Sequence, residues 1–150
     1  DTGAHALREG EIKTRQAAIK HCYEQGMQAL ADRWLPPMLH PDHCDLPAIY
    51  PPLEKMVLSK TPEIHERQIT ALIGRPDAFA LLGEIICPVL LAAGSHDRWS
   101  PPAQHLDMQH QITAPSKFSE IGNSGHFAPF EQPDASLAIL TGWLDKLAGH

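Results

Sequence analysis

Two residues of this chain sit where hydrolytic chemistry needs them. The run Cys87-Pro88-Val89-Leu90-Leu91-Ala92-Ala93-Gly94-Ser95-His96-Asp97 is an apolar stretch of strand length, ended by Gly, with an acid three residues later. The run Lys117-Phe118-Ser119-Glu120-Ile121-Gly122-Asn123-Ser124-Gly125-His126-Phe127 is a short strand pattern, a Gly/Asn/Ser turn, and then a His. In a serine hydrolase the His takes the proton of the nucleophile, and a buried acid fixes the imidazole tautomer and stabilises the imidazolium. Asp97 and His126, 29 residues apart, are in the order of the last two members of a Ser…Asp…His triad. The first member belongs earlier, and no segment upstream of Asp97 has the nucleophile pattern. The chain is therefore expected to be a processed, truncated or partial product, as its start at Asp1 without a Met also suggests.

Three other clusters imitate a site. Ser95-His96-Asp97 holds all three triad residue types, but adjacent side chains in an extended segment point apart. Gly122-Asn123-Ser124-Gly125-His126 differs from the nucleophile elbow G-x-S-x-G at its last position, and no helix follows at once. His40-Pro41-Asp42-His43-Cys44 has ligand-type side chains in a Pro-rich loop but no matching second half, so no structural zinc and no cofactor is expected. His105, Asp107 and His110 read as a solvated helix face. Trp99 and Phe127 flank the acid and the base and are candidates for an apolar acyl pocket. Tyr23 and Trp34 read as helix core.

These residues need elements to hold them. Residues 8–35 have apolar residues at helical spacing, and Pro36-Pro37 ends that helix. A Pro- and His-rich connection follows. Leu53, Met56 and Val57 predict a short second helix. Thr61-Pro62 opens a third, stopped by Gly74 and Pro76, and residues 77–82 could add a turn or two. From Cys87 the pattern changes. Residues 88–94 read as a parallel strand covered on both faces, residues 100–110 as a helix, 117–121 as a strand and 133–147 as a closing helix. A β-α-β-α order implies a parallel pair. Two parallel strands are not stable as a sheet by themselves. A missing segment or a second, strand-exchanging copy of the chain is expected to complete it.

Composition bounds the rest. The chain has 150 residues, 43% hydrophobic and 20% charged, which is the make-up of a globular domain. A net charge of −6 without a basic block argues against nucleic acid, and no apolar run is long enough to span a bilayer. Three cysteines at wide spacing fit reduced thiols, hence a cytoplasmic protein.

At these motifs the chain resembles the C-terminal part of the α/β-hydrolase superfamily, in its cap-bearing, esterase-like branch. The resemblance runs through Arg67-Gln68-Ile69 to Gly74-Arg75-Pro76-Asp77, then Ile86 to Asp97, and is strongest over Gly125-His126-Phe127-Ala128-Pro129-Phe130-Glu131-Gln132-Pro133. It implies an α/β fold in partial form: the end of a core strand at 1–3, a helical cap over 4–84 and the C-terminal lobe of the core over 85–150. It further implies that Asp97 is the triad acid, His126 the triad base, and the substrate a small acyl compound. The family's nucleophile elbow, oxyanion hole and first strands have no counterpart here, so this polypeptide alone is expected to be inactive. The rival reading is a non-catalytic interaction module, whose cap binds a partner and whose sheet is completed by another chain.

Overall fold

The computed structural model describes residues 3–149, so most of the strand end read at 1–3 lies outside the described residues. Helix α1 runs Glu11–Trp34, and its path bends at Gly26, whose φ of 83° and ψ of 177° break the helical ladder. A left-handed φ is open to glycine because it has no Cβ. Pro36 and Pro37 end the helix as expected, and Pro36–Met38 and Pro41–His43 form single 3-10 turns. Helix α2 (Tyr50–Leu58) is longer than its apolar residues predict. Helix α3 (Pro62–Ile73) starts as read, with the Thr61 hydroxyl accepting from the Ile64 amide at 3.4 Å. Residues Phe79–Glu84 form a 3-10 helix.

Strand β1 (Val89–Gly94) and strand β2 (Ser116–Ile121) pair in parallel, with Val89 beside Ser116 and Gly94 beside Ile121. Helix α4 (Pro102–Gln111) joins them and packs on both. A short α5 (Ala128–Glu131) leads into α6 (Pro133–Ala148). The fold is thus a helical layer followed by a β-α-β-α lobe around an incomplete two-stranded sheet.

Two apolar clusters hold it. In the helical part, Cys22, Leu30, Ala31 and Leu35 of α1 and its end pack on Leu39, Ile49, Leu53 and Val57. In the lobe, Leu91, Met108 and Ile112 pack with Leu82, so the 3-10 segment adheres to the lobe's core. Several sequence readings change here. Cys87 precedes the strand and is exposed, because β1 begins two residues later. His105 is buried, 2% exposed, with Nδ1 3.2 Å from the Pro101 carbonyl oxygen and its ring stacked on Phe118. The α4 pattern around His105 is polar enough to hide that face. Tyr23 is half exposed, its hydroxyl donating to Glu66 at 2.7 Å.

The face of α6 is the other surprise. Leu137, Leu140, Trp143, Leu144 and Leu147 form an apolar stripe at helical spacing, yet none of the helix's residues is buried. The same holds for Ile86, at 94% exposed.

At two glycines the chain passes other backbone too closely for a side chain. A Cβ on Gly94 would strike the carbonyl oxygens of Gly125 and Ser124. A Cβ on Gly125 would strike the Met38 carbonyl oxygen and the Leu39 backbone. Gly125→Ala is therefore expected to cost about 1–3 kcal/mol through overpacking, read as a lowered urea midpoint with unchanged slope.

Candidate active site

The end of β1 builds the acid's position. Asp97 closes a turn, its amide donating to the Gly94 carbonyl at 3.1 Å. Its Oδ1 accepts from the Trp99 amide at 2.8 Å and the Ser100 amide at 2.9 Å, the local pattern that an Asp in a turn favours. Its Oδ2 lies 2.9 Å from Nδ1 of His126. An ionised carboxylate only accepts, so Nδ1 carries the proton and Nε2 is the basic nitrogen. The Asp97 side chain is fully buried and that of His126 is 25% exposed. Burial pushes the Asp97 carboxyl up, but the hydrogen bonds from His126, Ser100 and Trp99 outweigh it and hold the group below its usual range.

The end of β2 builds the base's position. The Ser95 amide donates to Ile121 at 2.9 Å and the His96 amide to Ser124 at 2.8 Å, so the two post-strand loops are stitched side by side. Parallel pairing puts both strand ends on one edge, where open α/β sheets carry their sites. The His126 amide donates to the Met38 carbonyl at 2.7 Å, which ties the base to the helical part.

Sequence reasoning missed Glu131. Its side chain is fully buried, and three groups converge on it. Oε1 accepts from the Gly125 amide at 2.8 Å, while Oε2 accepts from the His40 amide at 2.8 Å and lies 2.8 Å from Nδ1 of His43. It therefore fastens the residue before His126 to the loop after α1. The visible signal was an acid directly before Gln132-Pro133, in the stretch of strongest resemblance.

The remaining candidates fall as follows. Trp99 is 41% exposed and lines a cavity of about 700 Å³ together with His126 and Trp34. Trp34 packs against the helical core cluster as read and also lines this cavity, edge-on to Trp99 at 6.5 Å. Phe127 packs against the helical cluster and edge-on to Trp34 at 6.3 Å, supporting that wall from behind. Ser124 is wholly buried and its hydroxyl donates to the Ile121 carbonyl at 2.8 Å, so it serves the turn. Ser95 Oγ lies 2.9 Å from Nδ1 of its neighbour His96, away from the Asp97–His126 pair. The His43 ring is turned to Glu131, whereas His40 reaches Glu131 through its backbone amide and its Nδ1 accepts from the Asp42 amide at 3.3 Å; among the described residues no group of three ligand-type side chains is placed to hold a metal. Among those residues, no helix is long and apolar enough to cross a membrane.

A thermophilic esterase from Thermogutta terrifontis, solved with malate bound, superposes with a TM-score of 0.85 at 26% identity, over 95% of this chain and 53% of its own. The enol-lactonase from Burkholderia xenovorans gives 0.78 at 22% identity, over 96% and 54%. An esterase from Exiguobacterium antarcticum gives 0.73 at 15% identity, over 93% and 52%. This chain has the fold of the C-terminal part of an α/β-hydrolase. It spans about half the length of the structures it matches. No family model matches the sequence, and no curated protein does. The α/β-hydrolase likeness is thus carried by shape more than by residue identity.

Two predictions follow from the geometry. A carboxyl whose pKa is depressed on folding contributes stability above its unfolded value and loses it as pH falls through the folded value. Asp97 has a reference value of 3.8, so its share of stability is expected to vanish on acidification below about pH 4. Urea midpoints across pH 2–6 should show a shallower loss in Asp97→Asn than in wild type. Glu131→Ala removes the acceptor of two amides, at about 1–3 kcal/mol each. It is expected to destabilise the chain by about 2–6 kcal/mol, with Glu131→Gln costing less.

Proposed function

We propose that this chain supplies the acid and the base of a Ser-His-Asp triad to a hydrolase of esters or similar small acyl compounds. The observation that carries this reading is the 2.9 Å hydrogen bond between the buried Asp97 carboxylate and His126 Nδ1. In this mechanism Nε2 of His126 takes the proton of a serine hydroxyl as it attacks the acyl carbon, then returns it to the leaving oxygen. Asp97 holds the tautomer and stabilises the imidazolium. The serine and the oxyanion donors come from a core segment outside this chain, which also covers the open sheet and the leucine stripe of α6. The esterase and lactonase likenesses support acyl transfer to water as the reaction class.

A second reading is supported by the same uncovered surfaces. Ile86 and the α6 stripe leave apolar area exposed, which suits a module whose sheet another chain completes. The partner would then be a further copy with an exchanged strand or helix.

The test is hydrolysis of p-nitrophenyl acetate. The isolated chain is expected to release no p-nitrophenol above buffer. Joined to the polypeptide encoded immediately upstream, it is expected to turn over, and His126→Ala or Asp97→Asn should lower kcat by about 10³–10⁴. Activity of the joined protein that survives His126→Ala would overturn the triad assignment. An inactive chain that elutes as a stable dimer, with no G-x-S-x-G segment encoded upstream, would favour the second reading.

A further inference from the structure

The cavity that holds His126 is chemically two-sided. Met27, Leu30, Trp34 and Val57 make an apolar wall. Beside it, among the described residues, the lining carries Arg8, Arg15, Lys60, Arg75 and Arg98 against Glu9 and Glu11. Five cations to two carboxylates is the reverse of the whole chain, whose net charge is −6. A concave, partly apolar surface concentrates such a field and attracts anions.

The cations differ in how well they are satisfied. Glu11 accepts from Arg15 at 2.8 Å and 2.6 Å and from the Arg8 amide at 3.0 Å. Burial raises its carboxyl, but the Arg8 amide and the Arg15 and Arg75 guanidiniums together hold it below the usual range, so it stays ionised and occupied. Arg75 receives little from it. Its Nη2 is 3.7 Å from Glu11 Oε1, beyond hydrogen-bond distance, and its Nε is buried without a hydrogen-bond partner. His65 Nε2, on the same lining, is also buried without one. One carboxylate cannot serve two guanidiniums of five donors each. A buried donor left unpaired costs about 1–3 kcal/mol, so the Arg75 guanidinium is under-satisfied where it borders the cavity.

We propose that the cavity takes an ester whose acyl chain ends in a second, ionised carboxylate, with the chain along the apolar wall and the free carboxylate on Arg75. This rests on the hydrolase reading above and adds the substrate class. The carboxylate would meet the outer Nη edge of the planar Arg75 guanidinium, since Nε is enclosed, and that edge also allows the paired geometry that guanidinium groups favour. Arg15 and Lys60 contribute field. A plain alkyl ester fills the same apolar wall but leaves Arg75 as it is.

The experiment uses the 150-residue chain and two esters of one length, monomethyl suberate and dimethyl suberate. Trp34 and Trp99 line the cavity, so their fluorescence reports binding. Monomethyl suberate is expected to bind at least about tenfold tighter, with the preference shrinking as NaCl screens it. Arg75→Gln should bring the ratio close to one while leaving dimethyl suberate unchanged. Arg75→Lys keeps the charge without the fork, and should retain only a minor part of the preference. If Arg75→Gln does not fold, Arg75→Lys and the wild-type ratio decide the matter. Equal binding of both esters overturns the carboxylate assignment and leaves the acyl-pocket reading standing. A full preference kept in either Arg75 variant overturns the role of Arg75. Binding of neither ester overturns this inference and the acyl pocket together.

Discussion

A buried carboxylate must be satisfied or it will not stay ionised, and the rest of this structure is arranged around that demand at Asp97. Its two oxygens take three hydrogen bonds, two from the backbone of its own turn and one from His126. The backbone pair fixes the carboxylate within β1's exit loop. The third bond reaches across to the exit loop of β2. The acid is thus held by its own turn, and the base takes its tautomer from it. That division of labour follows from which atoms are local and which are distant.

Bringing the two loops together needs close backbone approach, and glycine provides it. Gly94 and Gly125 let three layers of main chain touch: the end of β1, the turn after β2 and the loop after α1. Glu131 then binds the second layer to the third, through Gly125 on one side and His40 and His43 on the other. The His126 amide adds a direct bond to Met38. The helical part is consequently attached to the catalytic candidates themselves. A shift of that part would move His126, which couples the cavity's shape to the Asp97–His126 contact.

The elements were largely legible in the sequence because their signals are local. Proline ended α1, Thr61 capped α3, and the uninterrupted apolar run 89–94 formed a strand, although Val89, Leu90 and Ala92 are only partly buried rather than covered on both faces. The α/β-hydrolase fold was legible for the same reason, in the Gly-terminated strand and the segment around His126. Burial of single polar residues was not. His105 lies on a polar helix, and nothing in its neighbours shows that Phe118 and the Pro101 carbonyl receive it. Trp34 satisfied helical spacing and packs on the core, but its edge contacts with Trp99 and Phe127 beside the cavity are visible only in the tertiary structure. Glu131 looked like one more charge before a helix.

Residue types and order alone determined that Asp97 and His126 follow successive strands, because strand exits and turn residues are written within a few positions. Their contact is a different kind of fact. It depends on parallel pairing, which no short stretch encodes, and on two glycines whose missing side chains matter only where another backbone passes. The same holds for the cation-rich wall: Arg15, Lys60 and Arg75 are scattered along the sequence, and only the packing of α1 against α3 brings them to one cavity. Local chemistry named the participants, and tertiary packing decided which of them meet, since distances between distant residues are set by the whole core.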